Sequence, residues 1–186
     1  MRKIMVWGGT HPDELGPMEL ADSLMPDRDP IPNVSAGIVN EQARRLGRRV
    51  VNINMNDAYP GRLGSDVYEE HRAAQVLRIN QGFDLVIDLH SFRDRGADVG
   101  FVGPRGASRA ALGFIAGLGI KRMMQTNFPT MEIYDSKVIS LELAREHYDQ
   151  PESLREAIER CANSMDADEA KAADFEWFSH AGHCAY

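Results

Sequence analysis

Hydrophobic and polar residues follow two alternating patterns along this chain. Short, nearly continuous apolar runs predict buried strands, and residues 83–89 form the clearest run, because almost every position is apolar, as a parallel sheet requires. The predicted strands cover residues 2–7, 34–39, 49–53, 83–89, 99–102, 121–125 and 137–143, and residues 175–178 form a predicted edge strand.

Between these runs, apolar residues recur at helical spacing on one face, which predicts helices. The predicted helices cover residues 14–24, 41–46, 66–80, 107–118 and 151–172. Asn40 precedes the second of these helices and Asp66 begins the third, and both residue types are suited to cap helix N-termini. Because strands and helices alternate, we predict an α/β fold with a mostly parallel or mixed sheet and helices on both faces.

Composition and charge narrow the class of protein. With 186 residues, of which 26% are charged and 43% apolar, the chain is expected to form one domain over residues 1–186. A net charge of -7 argues against nucleic-acid binding, and no apolar run is long enough to predict a membrane span. The N-terminus shows no signal-peptide pattern, and Cys161 and Cys184 indicate no disulfide framework, so a cytoplasmic location is expected.

Candidate chemistry begins directly after the first predicted strand, in the segment GGTHPDE of residues 8–14. His11 and Glu14 are both residue types that bind Zn²⁺. His90 follows the predicted strand 83–89, and sites in such sheets lie beyond the carboxyl ends of the strands. Three ligands with a fourth position open to water are typical of a catalytic zinc site. The opposing interpretation is that each histidine is structural or exposed, because an HxxE spacing often arises by chance.

Four motifs, in order along the chain, resemble those of one protein family. They are GGTHPDE at 8–14, NMNDAYPG at 54–61, DLH at 88–90 and ISLELA at 139–144. The chain is thereby similar to the succinylglutamate desuccinylase/aspartoacylase family. The corresponding family motifs are GGTHGNE, an Asn-Arg loop followed by aromatic-Pro-Gly, DLH, and a glutamate between apolar and small residues. The resemblance extends over roughly residues 3 to 145.

The resemblance implies a three-layer α/β domain of the zinc carboxypeptidase-like fold that hydrolyses an amide. It implies one Zn²⁺ per chain, held by His11, Glu14 and His90. In the family, the residue that matches Glu142 transfers the proton, and the one that matches Arg49 steadies the oxyanion. Judged without the family, Glu142 is better explained as a strand residue that faces solvent and pairs with a neighbouring arginine. Arg49 is open to a similar interpretation as an exposed strand residue, and Arg48 points to the face opposite Arg49.

Asp88 precedes His90 by two residues, so the two side chains are predicted to share one face of the strand. A carboxylate in that position can accept the second ring proton of a ligating histidine. The alternative is an acid at the end of a strand that only faces solvent.

The loop of residues 54–61 contains the main departure from the family. The family's Asn-Arg pair binds the carboxylate of an N-acyl amino acid; Asn56 matches the asparagine, but Asp57 replaces the arginine. An acid repels a carboxylate, so three interpretations are open. Either Arg62 or Arg72 supplies the missing charge, or the substrate is neutral or cationic at that end, or the activity has been lost. The candidate substrate-binding residues are Asn56, Asp57, Tyr59 and Arg62.

Length is a second departure. Many relatives add a small C-terminal β-rich domain over the active site, and this chain has too few residues for one. A more open pocket is expected, or a pocket covered by a neighbouring subunit in a homo-oligomer. His180, His183 and Cys184 form a cluster near the end of the chain that is more typical of a loosely packed tail than of a metal site.

The sequence therefore predicts a zinc-dependent amidohydrolase that removes an acyl group from a small N-acyl amino acid or amine. Its expected partner is a small-molecule substrate, with neither a nucleic acid nor a membrane. Two alternatives stay open: a carboxypeptidase or peptide amidase that acts on a short peptide, and a catalytically silent binding protein that retains the fold.

Overall fold

A mixed β-sheet organises the protein in the computed structural model, which describes residues 1–92, 98–126, 136–163 and 175–179. Within these ranges the strands are β1 Ile4–Gly8, β2 Val34–Ile38, β3 Leu85–Ser91, β4 Val99–Val102, β5 Arg122–Gln125, β6 Val138–Leu143 and β7 Glu176–Ser179. Their order across the sheet is β2-β1-β3-β6-β4-β5-β7. Strands β2, β1, β3 and β6 are parallel, and β4 runs antiparallel to β6. The carboxyl ends of β1, β3 and β6 therefore meet at one edge.

Helices cover both faces of this sheet, as predicted. They are α1 Leu15–Ser23, α2 Glu41–Arg45, α3 Tyr68–Asn80, α4 Arg109–Gly117, α5 Glu146–Asp149 and α6 Glu152–Asn163, with a 3₁₀ turn at Met55–Asp57. On one face, alternate residues of β1, β3 and β6 pack against α1, α4 and α6. On the other face, the intervening residues pack against α3 and the segment 55–59. The predicted three-layer α/β architecture is confirmed. None of the helices in the described ranges has the length and apolar character of a membrane span.

The predicted strand at residues 49–53 is wrong, because this segment is an irregular loop. Its backbone donors bind a side chain instead of a neighbouring strand. The buried carboxylate of Glu69 accepts hydrogen bonds from the N–H groups of Val51 at 2.6 Å, Asn52 at 3.1 Å and Ile53 at 3.4 Å. This loop leads directly into residue 54, so Glu69 fixes the chain at the entry to the candidate substrate segment.

The helix-cap predictions have different outcomes. Asn40 caps α2 as predicted, since its Oδ1 accepts the N–H of Ala43 at 3.2 Å. Asp66 does not cap α3; the N–H of Tyr68 donates instead to Oδ1 of Asn52, at 3.0 Å. The predicted C-terminal helix is confirmed over Glu152–Asn163, while its remaining residues and the cluster at 180–184 lie outside the described residues. The predicted edge strand is confirmed as β7.

Candidate metal centre

The loop after β1 brings His11 and Glu14 to the carboxyl edge of the sheet. A Cβ at Gly8 would collide with the carbonyl of Pro17, so glycine allows the first turn of α1 to pack closely on the strand end. Gly9 has a φ of +64°, in the left-handed region that favours glycine, which lets the chain turn out of the sheet. The N–H of Glu14 then donates to the carbonyl of His11 at 3.0 Å, and this turn places both side chains on the same side.

Three potential metal ligands converge at this edge. His11, Glu14 and His90 each offer one donor atom, and these atoms lie within 4.8 Å of one another. Nδ1 of His11 is 2.8 Å from Oε1 of Glu14, and Nδ1 of His90 is 3.3 Å from Oε2 of the same carboxylate. Both histidines are buried, at 6% and 4% exposure. The residues predicted as zinc ligands from the sequence thus form one compact group that could hold a metal.

The outer contacts of the two imidazoles fit a metal site. Nε2 of His11 lies 3.2 Å from Oδ1 of Asn54, and Nε2 of His90 lies 3.1 Å from Oδ2 of Asp88. Each ring thus directs Nδ1 towards Glu14 and Nε2 towards an acceptor oxygen, as metal-ligating histidines do. Nδ1 of His90 is buried and lies 3.3 Å from Oε2 of Glu14, but it makes no well-aligned hydrogen bond among the described residues. A buried polar atom without a well-aligned partner is costly, and a cation at this point would satisfy it.

Electrostatics at the centre favour a cation. Burial alone would raise the pKa of Glu14, but its close contacts and charge interactions with His11 and His90 hold that pKa well below the usual range. Burial alone would lower the pKa of His90, yet the charge and hydrogen bond of Asp88, together with Glu14, raise it well above its usual value. The surroundings of both residues thus stabilise positive charge between the carboxylate and the imidazoles.

Glu142 lies beside this group on β6, where its Cα is in register with that of His90. Residues paired in register project to the same face of a sheet. Burial raises the pKa of the Glu142 carboxyl; the charges of Glu14 and Asp88 act in the same direction, and those of His90 and His11 oppose them. Among the described residues no arginine forms an ion pair with Glu142, and its register places it on the same face of the sheet as His90.

Arg49 reaches the centre from the irregular loop. Its Nη1 donates to Oδ1 of Asp13 at 2.7 Å and to Oε1 of Glu14 at 3.4 Å. About a third of the side chain is exposed, at 33%. The sequence predicted that Arg49 lies near the site. It did not indicate Asp13, which belongs to the GGTHPDE segment and binds the guanidinium of Arg49 directly.

The predicted substrate segment lies next to the centre through Asn54, a residue that the sequence did not single out. Oδ1 of Asn54 accepts the N–H of Asn56 at 3.0 Å as well as facing His11. Asp57 and Arg62 are both exposed, and the N–H of Arg62 donates to the carbonyl of Glu70 at 3.0 Å. Tyr59 is buried, at 7% exposure, in the apolar core beneath the loop.

Arg72, one of the two arginines considered as a replacement for the missing charge, has a structural position instead. Its guanidinium donates to the carbonyls of Val39 at 2.7 Å and Ile38 at 2.8 Å, and it lies 5.8 Å from the ring centroid of Trp7. These contacts fix the end of β2, so Arg72 is not available for a substrate carboxylate.

Tyr148 also contacts the centre, and no sequence signal indicated it. Its hydroxyl donates to the carbonyl of His90 at 2.7 Å. Burial raises the pKa of Tyr148 well above its usual range, and the carboxylates of Glu142, Glu14 and Asp88 add to this effect. The hydroxyl therefore stays protonated at neutral pH and acts as a donor.

Comparison with known proteins supports the same architecture. Solved structures with this fold include the succinylglutamate desuccinylase from Chromobacterium violaceum, with 18% identity, a TM-score of 0.71, and coverage of 95% of this chain and 66% of that one. Murine aminoacylase 3 has 18% identity, a TM-score of 0.65 and coverage of 87% and 63%. The product-bound ectoine utilization protein EutE (DoeB) from Ruegeria pomeroyi has 16% identity, a TM-score of 0.64 and coverage of 96% and 62%.

The chain thus spans less than two thirds of the length of these proteins. Among curated protein sequences, none matches this chain. The family model described as the succinylglutamate desuccinylase/aspartoacylase catalytic domain matches residues 1–125, a span that includes His11, Glu14 and His90 and ends before Glu142. Because this match covers more than half of the sequence, the chain belongs to the succinylglutamate desuccinylase/aspartoacylase family.

Proposed function

We propose that this protein is a zinc-dependent amidohydrolase that removes an acyl group from a small N-acyl amino acid or amine. One observation carries the proposal: His11, Glu14 and His90 converge in a group that could hold a metal ion, and the carboxylate Glu142 lies on the adjacent strand in register with His90. Family membership supports this class of reaction, and so do the solved relatives, which include a succinylglutamate desuccinylase and an aminoacylase.

His11, Glu14 and His90 would hold the Zn²⁺, with the Nδ1 atoms of both histidines and the Glu14 carboxylate as donors. When bound, zinc supplies Lewis-acid charge that polarises the scissile carbonyl and makes water a stronger nucleophile. Asn54 and Asp88 hold the outer nitrogens of the two imidazoles. These contacts keep both imidazole rings in one orientation before the metal binds, which lowers the free-energy cost of forming the site.

Glu142 is proposed as the group that moves the proton. Its carboxylate accepts a proton from the attacking water and delivers it to the nitrogen of the leaving amine. The raised pKa of Glu142 suits the first half of this transfer, because the conjugate base of a weaker acid is a better proton acceptor.

Arg49 is proposed to stabilise the negative charge that develops on the carbonyl oxygen. A guanidinium has five N–H donors, and within the described chain Arg49 engages Asp13 and Glu14 through Nη1 alone. Its other donors and its permanent charge can serve the oxyanion. The contact with Asp13 holds the arginine at the edge of the centre.

The far end of the substrate is proposed to contact the segment with Asn56, Asp57 and Tyr59, and Arg62 beyond it. Because Asp57 is exposed and anionic where the family has an arginine, we propose that this end of the substrate is neutral or positive. Tyr59 would act by supporting the loop from below, since it is buried.

The proposal is tested by hydrolysis of a panel of N-acyl amino acids and N-acyl amines by the purified chain, before and after removal of metal with a chelator. We expect turnover of at least one substrate that disappears on chelation and returns with Zn²⁺. Turnover that survives complete removal of metal would contradict the proposal. Binding of these compounds without turnover in the zinc-loaded protein would instead identify a silent binding protein.

A further inference from the structure

One peptide unit at the centre is held by side chains at both of its polar atoms. The carbonyl of His90 accepts a hydrogen bond from the hydroxyl of Tyr148 at 2.7 Å. The N–H of Ser91, on the other side of the same peptide bond, donates to Oε2 of Glu14 at 3.1 Å. Hydrogen bonds in such a chain polarise and strengthen one another. The peptide between residues 90 and 91 therefore links Tyr148 to two of the three proposed metal ligands.

The ring of Tyr148 lies against the start of α1. A Cβ built at Gly16 would be 2.6 Å from both Cβ and Cγ of Tyr148. Gly16 is two residues after Glu14, so the aromatic ring packs where the helix that follows this ligand begins. Only glycine leaves room for this contact.

The short helix that carries Tyr148 is itself anchored. Nε2 of His147 lies 2.8 Å from Oδ2 of Asp98, and Oδ1 of Asp98 accepts the N–H of Ala144 at 2.8 Å. Asp98 directly precedes β4, whose first residue is in register with Glu142. Tyr148 thus has a fixed position relative to the sheet, which a residue that sets the position of others requires.

We propose that Tyr148 is a positioning residue of the metal centre. Its hydroxyl fixes the backbone of His90 and its ring fixes the start of α1, so that His90 and Glu14 are held at the separation that a metal needs. The inference rests on the proposed function, because it presupposes that these ligands bind a divalent ion. Outer groups of this kind typically change metal affinity by about 10–100-fold.

The test compares Tyr148→Phe with Tyr68→Phe in the full chain. Tyr148→Phe keeps the ring against Gly16 and removes the hydroxyl. Tyr68→Phe is the matched control, because the Tyr68 hydroxyl also binds one backbone group, the N–H of Gln42 at 3.1 Å, but contacts no metal ligand. The readouts are Zn²⁺ affinity by competition with a chromophoric chelator, the visible absorption spectrum of the Co²⁺-loaded protein, and the melting temperature of the metal-free protein.

We expect Tyr148→Phe to weaken Zn²⁺ binding about 10-fold or more and to change the Co²⁺ spectrum, while Tyr68→Phe matches the parent. Parent-like affinity and spectrum in Tyr148→Phe would overturn the inference, as would an equal loss in Tyr68→Phe. If Tyr148→Phe does not fold, the metal affinity of Gly16→Ala tests the inference instead. This variant keeps the hydroxyl but displaces the ring, so weakened metal binding supports the inference and parent-like binding overturns it. A parent protein that binds neither metal would instead refute the proposed function.

Discussion

Nε2 of His90 lies 3.1 Å from Oδ2 of Asp88, and the other carboxylate oxygen of Asp88 accepts the hydroxyl of Thr10 at 2.9 Å. The acid that precedes His90 by two residues in the sequence is thus held in place by the loop after β1. It contacts the outer nitrogen of His90 and leaves the inner nitrogen free to face Glu14. This relationship links the two motifs that supply the proposed ligands.

Asp88→Asn should therefore weaken Zn²⁺ binding about 10-fold or more, because a neutral amide holds the imidazole less firmly and makes it a poorer ligand. The measurement is a chelator competition titration. Asp84→Asn is the control, since Asp84 lies just before the same strand and its Oδ2 accepts the N–H of Lys3 at 2.8 Å, with no contact to a histidine among the described residues. Equal zinc affinities in the two variants would argue that Asp88 is an ordinary acid at a strand end.

Glu142→Gln tests the proposed proton transfer. The amide keeps the shape of the side chain but cannot accept the proton, so hydrolysis should fall about 10²–10⁴-fold while the zinc content stays that of the parent. Steady-state kinetics and elemental analysis on the same preparation give both values. Near-normal turnover would rule out the role, and failure to fold would favour a structural role for this carboxylate.

Glu69→Gln tests the anchor of the loop that replaces the predicted strand. The new amide would place a donor against backbone N–H groups, so the free energy of unfolding should fall by about 1.5–3 kcal/mol. Glu70→Gln is the control, because the half-buried Glu70 accepts the hydroxyl of Ser65 at 2.6 Å. Urea denaturation compares the two variants, and a loss in Glu69→Gln no larger than that in Glu70→Gln would contradict the anchoring role.

This loop also shows where prediction from sequence fails. Residues 49–53 alternate in polarity as a strand would, but their N–H groups bind Glu69, which lies 16 to 18 positions further along the chain. Local periodicity contains no information about that contact. Strand β1 at Ile4–Gly8 was predicted correctly and is buried at every position, so its apolar run itself reflects the packing.

The residues of the candidate metal centre also differ in whether the sequence alone could predict them. The proximity of His11, Glu14 and His90 was predictable, because the first two follow the carboxyl end of β1 and His90 lies near the carboxyl end of β3, and parallel strands place these ends at one edge. Tyr148 and Asn54 were not, because their contacts with the two histidines join residues 58 and 43 positions apart and depend on how loops pack. No motif marks Tyr148, and the motif at residues 54–61 contains Asn54 without indicating a contact with His11.

The exposed Asp57 leads to a prediction about substrate charge. At ~4 Å and an effective dielectric of about 20, two unit charges interact by roughly 4 kcal/mol, and exposure reduces this value. We expect a higher kcat/KM for the carboxamide of an N-acyl amino acid than for its free acid. Asp57→Asn should narrow that difference.

A preference for the free acid would indicate instead that Arg62 binds the substrate carboxylate. Arg62 lies close to Asp57 in the sequence, and its side chain is exposed. In that case the free acid would be the better substrate, and Arg62→Ala, but not Asp57→Asn, would abolish its hydrolysis. This result would contradict the predicted role of Asp57.

The zinc content of the purified chain and of His90→Ala tests the central proposal most directly. Elemental analysis should find one zinc per chain in the parent and little in His90→Ala, because the variant removes one of three protein ligands. His71→Ala is the matched control and should retain the parent's zinc, since the ring of His71 accepts the N–H of Gly64 at 2.8 Å and lies outside the metal-binding group. Undiminished zinc in His90→Ala would contradict a site built from His11, Glu14 and His90.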